Sequence, residues 1–349
     1  MAVHETKEQF RIEVLGTFAE PWAMALLPDG KSALITEKSG KLKLWSAIQT
    51  AVIPGSPKVD FGGQGGLGDV AFAPDFKKSG FVYLSWIEAG PGDTRGAVVG
   101  RGILDKGYLT WLHQPKVIWR QDPKVSGRGH FSHRLALSPD GKYLFVSSGE
   151  RQKFTPAQDL SVNLGKVLRL NLDGTAAAGN PFAAKGGLSA QIWSYGHRNI
   201  LGLRFDAQGQ LWGLEHGPAG GDELNLIEPG QNYGWPLVSD GDHYDGKPIP
   251  RHATRPDLAA PAISWDPVIA PGDFIFYSGK LWPEWKGQAL IAGMVFNGLV
   301  RVRIDGARAA EQARYPLGKR IREIREAPDG ALLLLEDGPG GRLLRLTKK

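Results

Sequence analysis

The stretch Leu135-Ala136-Leu137-Ser138-Pro139-Asp140-Gly141, followed by Leu144-Phe145-Val146-Ser147-Ser148-Gly149-Glu150, decides the fold. An apolar run meets Pro-Asp-Gly, and a second apolar run leaves it. Proline presets the turn and Asp-Gly completes it. The flanking residues are Leu-rich, aromatic or β-branched, so the unit reads as a β-hairpin. The phrase returns along the chain. Ala25-Leu26-Leu27-Pro28-Asp29-Gly30 precedes Ala33-Leu34-Ile35-Thr36-Glu37, and Val70-Ala71-Phe72-Ala73-Pro74-Asp75-Phe76 precedes Val82-Tyr83-Leu84-Ser85-Trp86. Leu203-Arg204-Phe205-Asp206-Ala207-Gln208-Gly209 precedes Leu211-Trp212-Gly213-Leu214-Glu215. Ile324-Arg325-Glu326-Ala327-Pro328-Asp329-Gly330 precedes Leu332-Leu333-Leu334-Leu335-Glu336-Asp337. A degenerate copy, Phe274-Ile275-Phe276-Tyr277, precedes Gln288-Ala289-Leu290-Ile291-Ala292-Gly293.

Six units at intervals of about 45 to 75 residues predict an all-β, six-bladed β-propeller with four antiparallel strands in each blade. A third strand follows several hairpins: Leu42-Lys43-Leu44-Trp45, Val167-Leu168-Arg169-Leu170, Leu299-Val300-Arg301-Val302-Arg303-Ile304 and Leu343-Leu344-Arg345-Leu346. These alternate apolar with basic residues, as edge or outer strands do. Helical periodicity is weak throughout, which speaks against an α/β fold. No Ser/Gly linker divides the units, so residues 1–349 are expected to form one domain. The uneven spacing implies long loops gathered on one face, where propellers carry their sites.

Composition narrows the partners. The 349 residues include 47 Gly and 24 Pro, which suits a chain full of turns, and the 42% hydrophobic content suffices for a large core. Eleven Trp are expected to serve mainly as packing, although such rings also line sites for planar ligands. The net charge is +6, but no run of five or six Lys/Arg marks a nucleic-acid groove. There is no Cys, which excludes disulfides, thiolate chemistry and Cys-ligated zinc. No stretch is long and apolar enough to span a membrane. The start, Met1-Ala2-Val3-His4-Glu5-Thr6-Lys7, lacks the apolar core of a signal peptide. That leaves a cytoplasmic protein or one whose leader has been removed.

One run carries an unusual set of chemical groups. Gly196-His197-Arg198-Asn199 is followed by Glu215-His216-Gly217-Pro218-Ala219-Gly220-Gly221-Asp222-Glu223 and then Asn232-Tyr233-Gly234-Trp235-Pro236. Cationic donors, free backbone carbonyls and carboxylates are the parts that hold an anionic cofactor beside a hard cation. Three further pieces stand out: Gly63-Gln64-Gly65-Gly66-Leu67, His130-Phe131-Ser132-His133-Arg134-Leu135 and Arg320-Ile321-Arg322. Together, in this order on a six-unit chain, they resemble the soluble quinoprotein sugar dehydrogenases, and among these the bacterial aldose sugar dehydrogenases. These are six-bladed propellers that use pyrroloquinoline quinone (PQQ) and calcium.

The resemblance implies roles for particular residues. His130 is expected to be the general base that takes the proton of the sugar C1 hydroxyl, and a group titrating near neutrality suits that task. Glu150 would orient the base and raise its pKa. Gln64, His130, Arg198, Asn199, Tyr244, Gly293, Arg320 and Arg322 would contact PQQ, a planar tricarboxylate that calls for guanidinium forks and amide donors. Arg198 would also stabilise charge gathering on the quinone. The carbonyls of Gly217 and Pro218 would hold the calcium ion next to PQQ, and Glu223 with the Tyr233 carbonyl a second, structural ion. Asp222-Glu223 reads otherwise as a helix or turn cap. Two positions depart from the family. His133 replaces a small residue and is expected to form pocket wall. The fifth-blade stretch Gly293-Met294-Val295-Phe296-Asn297 lacks the lysine that relatives direct at the cofactor.

The implied activity is oxidation of an aldose to its lactone, with hydride passing to PQQ and electrons leaving to an external acceptor. The same resemblance implies a periplasmic or secreted protein. Basic residues on edge strands suggest a monomer. Two other classes share the fold: a metal-dependent propeller lactonase or esterase, and a propeller that binds glycans or proteins without catalysis. Neither needs the Arg-X-Arg and Gly-His-Arg-Asn pieces.

Overall fold

The Pro-Asp-Gly turns close as hairpins. In the computed structural model, which describes residues 4–5, 10–105, 112–113 and 115–349, the Gly141 N–H donates to the Ser138 carbonyl at 2.8 Å and the Ser138 N–H to the Tyr143 carbonyl at 2.9 Å. Gly30 and Gly330 make the same bond to Leu27 and Ala327, at 2.9 and 2.8 Å. All three glycines hold positive φ, from 65° to 87°, which a side chain would resist. The second copy has Phe76 where the others have Gly, and it opens a single helical turn, Phe76–Ser79, instead. Most of the Met1–Lys7 start, from which the compartment was read, lies outside the described residues.

Each hairpin supplies the first two strands of a sheet. Among the described residues the strands form six antiparallel four-stranded sheets and one two-stranded ribbon. The first blade is Pro21–Leu26, Ser32–Glu37, Lys41–Ser46 and Thr50–Ile53. The second is Leu67–Phe72, Phe81–Ala89, Arg95–Ile103 and Lys116–Arg120, and the third is Ser132–Leu137, Tyr143–Ser148, Lys166–Asn171 and Ile192–Tyr195. The fourth is Ile200–Phe205, Leu211–Glu215, Asp222–Leu226 and Ile263–Trp265. The fifth is Pro271–Phe276, Ala289–Gly293, Gly298–Asp305 and Arg308–Pro316, with His4–Glu5 added in parallel at its edge. The sixth is Ile321–Glu326, Leu332–Glu336, Arg342–Lys348 and, from the other end of the chain, Phe10–Thr17.

The first strand of every blade packs on the first strand of the next, and Ile321–Glu326 returns to Pro21–Leu26, so six inner strands enclose a central channel. The ring is closed by Phe10–Thr17, which pairs with Arg342–Lys348 from Phe10 opposite Lys348 to Thr17 opposite Arg342. Apolar side chains fill the spaces between blades, where stacked Trp282 and Trp285 lie 4.8 Å apart. Every inner strand carries a register shift near its first residue. A bulge bends a strand and re-aims one side chain. Repeated six times, it turns residues such as Trp22, His133, Leu201 and Arg322 toward one end of the channel.

The basic third strands are not edges. Each is covered by a fourth: Thr50–Ile53, Ile192–Tyr195, Arg308–Pro316 and Phe10–Thr17. Their basic side chains find partners between the sheets, as Arg169 does over the rings of Tyr143 and Trp193 and Arg301 does over Trp285. The largest insertion, 227–262, leaves the fourth blade at the same end as the 172–191 loop of the third, opposite the loops that precede the inner strands. It then folds back along the blade, and Gly241–Asp242 pair with Ala219–Gly220.

Charge fills the middle of the channel. Arg134 is fully buried; it donates to the Leu201 carbonyl at 2.6 Å and the Gly272 carbonyl at 2.9 Å, and it pairs with Glu323 at 2.8 Å. Its guanidinium lies 4.0 Å over the Trp22 ring. Arg204 and Arg325 pair with Asp273, and Arg325 also with Glu323. Burial would raise the Asp273 pKa, but Arg204, Arg134 and Arg325 outweigh it and hold the carboxylate ionised. With Asp69, which accepts from the Leu135 N–H, three acids face three guanidiniums, and burial pushes the Glu323 carboxyl up to about 7 against the pull of Arg134 and Arg325. Arg134→Met should therefore cost about 3–5 kcal/mol, because it strands buried carboxylates without their cation. The urea midpoint measures this; a loss below about 1 kcal/mol would contradict these pairings.

Candidate active site

The loops that precede the inner strands and those that follow the second strands meet at one end of the channel. Between them lies a cavity of about 160 Å³, walled by Trp22, Gln64, His133, His216, Arg320 and Arg322 among others. A smaller space of about 10 Å³, room for a single ion or water, adjoins it and is lined by Arg198, Gly217, Pro218, Glu223 and Tyr233. His216 borders both.

His130 stands in the loop before Ser132–Leu137, with φ at 49°. Its backbone N–H donates to Gln64 Oε1 at 2.8 Å, and its ring Nδ1 meets Glu150 Oε1. A carboxylate only accepts, so Nδ1 carries the proton and Nε2 is left with a free lone pair. The Glu150 carboxylate is fixed in turn by the N–H groups of Gln152 (2.9 Å), Lys153 (2.6 Å) and Phe154 (2.6 Å). Burial would raise the Glu150 pKa, yet the bonds from His130 and the loop amides hold it low. Burial lowers the His130 pKa below 6.5, against the pull of Glu150, and Arg198 adds to the lowering. The imidazole is thus a neutral base at pH 7, oriented by a carboxylate.

The Gly-His-Arg-Asn turn is tied to Glu215. The Arg198 and Asn199 N–H groups donate to Glu215 Oε2 at 2.7 and 3.3 Å, and His197 Nδ1–H donates to Oε1 at 3.0 Å. Arg198 Nη1 donates to the His216 carbonyl at 3.0 Å and Nη2 to the Tyr244 hydroxyl at 3.2 Å. Asn199 Oδ1 accepts from the Ser132 N–H and hydroxyl, both at 3.1 Å. Two buried donors, Arg198 Nε and Asn199 Nδ2, have no partner. Such orphans are costly unless a ligand supplies acceptors. Across the cavity, Arg320 and Arg322 share one carboxylate, Asp337, at 2.7 Å each, so one positive charge remains over. Planar guanidiniums, orphaned amide donors and surplus positive charge fit a flat polycarboxylate.

The small space has the donors of a hard-cation site. Glu223 is buried on the strand Asp222–Leu226, so the cap reading of Asp222-Glu223 is corrected to strand. Burial raises the Glu223 pKa, and a bound cation would reverse that. Its neighbours are Asn225 Nδ2 at 3.2 Å and His252 Nδ1 at 3.9 Å, and His252 Nε2 lies 3.3 Å from the Tyr233 carbonyl. No group of three His, Asp or Glu among the described residues is arranged to hold a metal ion, so an ion here would depend on carbonyls. A Cβ on Gly217 would stand 2.2 Å from the Gly221 carbonyl oxygen, so the turn tolerates only glycine there. The carboxylate, the carbonyls and the one-ion volume fit calcium.

The remaining expected residues fall near but not in the cavity walls. Tyr244 is 78% exposed and reaches the site only through Arg198. Gly293 ends its strand buried, and its neighbour Met294 lines the cavity. Sequence reading missed Trp22, Lys38, His216 and Glu215. Lys38 Nζ pairs with Glu20 at 2.6 Å and brings a cation from the first blade. Glu215 had a signal: Glu37, Glu215 and Glu336 each end a second strand, Glu150 follows one, and all four accept backbone N–H groups. Glu215→Ala should lower stability by about 2–4 kcal/mol, since it orphans buried donors. Thermal unfolding reads the loss; a change within about 0.5 kcal/mol would show that Glu215 does not hold the turn.

The chain as a whole resembles known proteins in sequence and fold. Residues 18–345 match the glucose/sorbosone dehydrogenase family. The aldose sugar dehydrogenase YliI of Escherichia coli K12 is 38% identical over 339 residues, which cover 94% of this chain and 90% of that protein. A crystal structure of a glucose dehydrogenase is 40% identical, covers 97% of this chain and 100% of its own, and superposes with a TM-score of 0.92. The PQQ-bound aldose sugar dehydrogenase of Streptomyces coelicolor is 26% identical over the whole of both chains, with a TM-score of 0.77. By sequence match and by fold alike, the chain belongs to the glucose/sorbosone dehydrogenase family.

Proposed function

We propose that this protein oxidises aldose sugars at C1 to the lactone, using PQQ and calcium and passing electrons to an external acceptor. The observation that carries the reading is a neutral, carboxylate-backed His130 between the orphaned donors of Arg198 and Asn199 and a cavity with surplus positive charge. The relatives named as aldose and glucose dehydrogenases support it, as does the PQQ-bound neighbour.

Bound PQQ would supply the redox chemistry by accepting hydride from C1, with calcium polarising its carbonyl. The chain does the rest. Arg320, Arg322, Gln64 and Asn199 would hold the tricarboxylate, and Gly217 and Pro218 would offer carbonyls to the ion. Glu223 and the Tyr233 carbonyl, which line the same one-ion space, would serve that ion too, in place of the second ion expected from the resemblance. His130 Nε2 takes the C1 hydroxyl proton, and Glu150 stabilises the imidazolium that forms. Arg198, fixed by the His216 carbonyl and Tyr244, places positive charge where negative charge gathers. Among the described residues no helix is long and apolar enough to cross a membrane. A periplasmic or secreted location goes with this reading, whereas the expected monomer loses its ground, because the basic strands it was read from are covered.

Apo-protein mixed with PQQ, Ca²⁺, an aldose and a redox dye should bleach the dye. No bleaching across a panel of aldoses, with no cofactor spectrum, would overturn the proposal. His130→Ala should keep the cofactor and lose turnover by about 10²–10⁴-fold. The pH profile follows from the sign of the shift. The base works unprotonated and its pKa lies below 6.5, so kcat/KM should rise through one acidic step and stay flat across neutral pH. Glu150→Gln removes the group that raises this pKa, so the step should move to lower pH while turnover falls. A shift to higher pH would contradict the assigned pairing.

A further inference from the structure

His133 is a residue whose chemistry the reaction above leaves unused. It sits in the bulge of the third blade with φ at 57°, a strained conformation for histidine, and it walls the cavity while only 2% exposed. One ring face stacks on Trp22, at 4.9 Å and 17° between planes, and the Arg134 guanidinium lies against Trp22 as well. Gly68 makes the room, because a Cβ there would stand 1.9 Å from His133 Cε1.

The hydrogen bonds fix its tautomer. Ser85 Oγ lies 2.8 Å from His133 Nδ1 and 2.8 Å from the His133 carbonyl oxygen, and it accepts from the Asp69 N–H at 2.8 Å. The hydroxyl has one proton. Given to the carbonyl, it leaves Oγ to accept from Nδ1–H, so every short contact is a hydrogen bond; given to Nδ1, it would leave two oxygens 2.8 Å apart with no proton between them. His133 Nδ1–H then donates to Ser85 Oγ, and Nε2 carries a lone pair with no protein partner among the described residues. Burial, with Arg134 and Arg151 nearby, pushes the pKa down to about 3, so the ring stays neutral. The other ring acceptors nearby have other places or tasks: His130 Nε2 is the base, and His216, whose Nε2–H donates to the Pro271 carbonyl at 2.7 Å, borders the ion space, which leaves His133 Nε2 as a fixed acceptor on the cavity wall.

Resting on the proposed function, we infer that His133 is a cofactor-binding residue that accepts a hydrogen bond from the pyrrole N–H of PQQ. That N–H is the single donor on an otherwise acceptor-only tricarboxylate. An acceptor at one wall therefore fixes which way round the asymmetric molecule lies, a task that the surrounding cations cannot perform.

The test is equilibrium titration of PQQ into apo-protein with Ca²⁺, read by quenching of tryptophan fluorescence, with thermal melts as the folding control. His133→Phe keeps the ring stack without the acceptor and should weaken binding about tenfold. His133→Gln or His133→Asn should restore it to within about threefold, and N-methyl-PQQ should bind wild type more weakly than PQQ but His133→Ala with little difference. Should His133→Phe not fold, His133→Ala against His133→Gln makes the same comparison. Wild-type affinity in His133→Phe or His133→Ala, or no recovery with either amide, would overturn the inference while leaving the function intact. Wild-type protein that takes up no PQQ overturns both.

Discussion

Everything at the site depends on one pairing, that of Phe10–Thr17 with Arg342–Lys348. A twisted sheet of four strands cannot bury both faces alone, and a row of such sheets leaves one exposed at each end. Joining the two ends of the chain within one blade removes both ends at once. It also forces the six inner strands to run the same way along one channel, so the loops before them and after their partners gather at the same end. The His130 loop, the Gly-His-Arg-Asn turn and the Arg-X-Arg pair are brought together by closure. None is close to another in sequence.

Closure creates an electrostatic problem that the inner strands solve in two ways. In the middle of the channel, Arg134, Arg204 and Arg325 face Asp69, Asp273 and Glu323, and little charge is left over. At the active end the balance is incomplete: Arg320 and Arg322 share Asp337, and Arg198 and Asn199 keep buried donors unbonded. The inner strands therefore offset most of their charge where they support the ring, although Asp273 Oδ1 and both Glu323 oxygens accept no hydrogen bond there, and keep a positive surplus at the end that would receive a ligand. The acids that end or follow the second strands serve the unsatisfied end by holding loop amides in place, as Glu215 does for Arg198 and Glu150 does for the loop beside His130. Burial keeps His130 neutral, and Glu150 keeps it aimed.

The repeats made the architecture legible, because Pro-Asp-Gly turns and alternating strands are local signals. Reading stopped where contacts are not local. The basic third strands resemble edges in isolation, and only the fourth strands, one of them from the other end of the chain, show that they are covered. The insertion at 227–262 marks its return to the site only through the Asn232-Tyr233-Gly234-Trp235-Pro236 piece and Tyr244; the path it takes to get there is not legible in its composition. Tyr244 falls at a position matched to the family yet lies largely in solvent, because it answers to Arg198 and not to the cavity. The bulges at the inner strands have no sequence mark, although they aim Trp22, His133, Leu201 and Arg322 into the cavity.

The sequence by itself determined the fold class, the number of blades and most of the chemical groups at the site, since turn residues and motifs act over a few positions. The tertiary structure decided which of those groups face one another and in what protonation state. Whether His130 is neutral, whether Arg198 keeps a free donor and which nitrogen of His133 bears its proton all depend on burial and on partners many residues away. Those quantities exist only once the ring has closed.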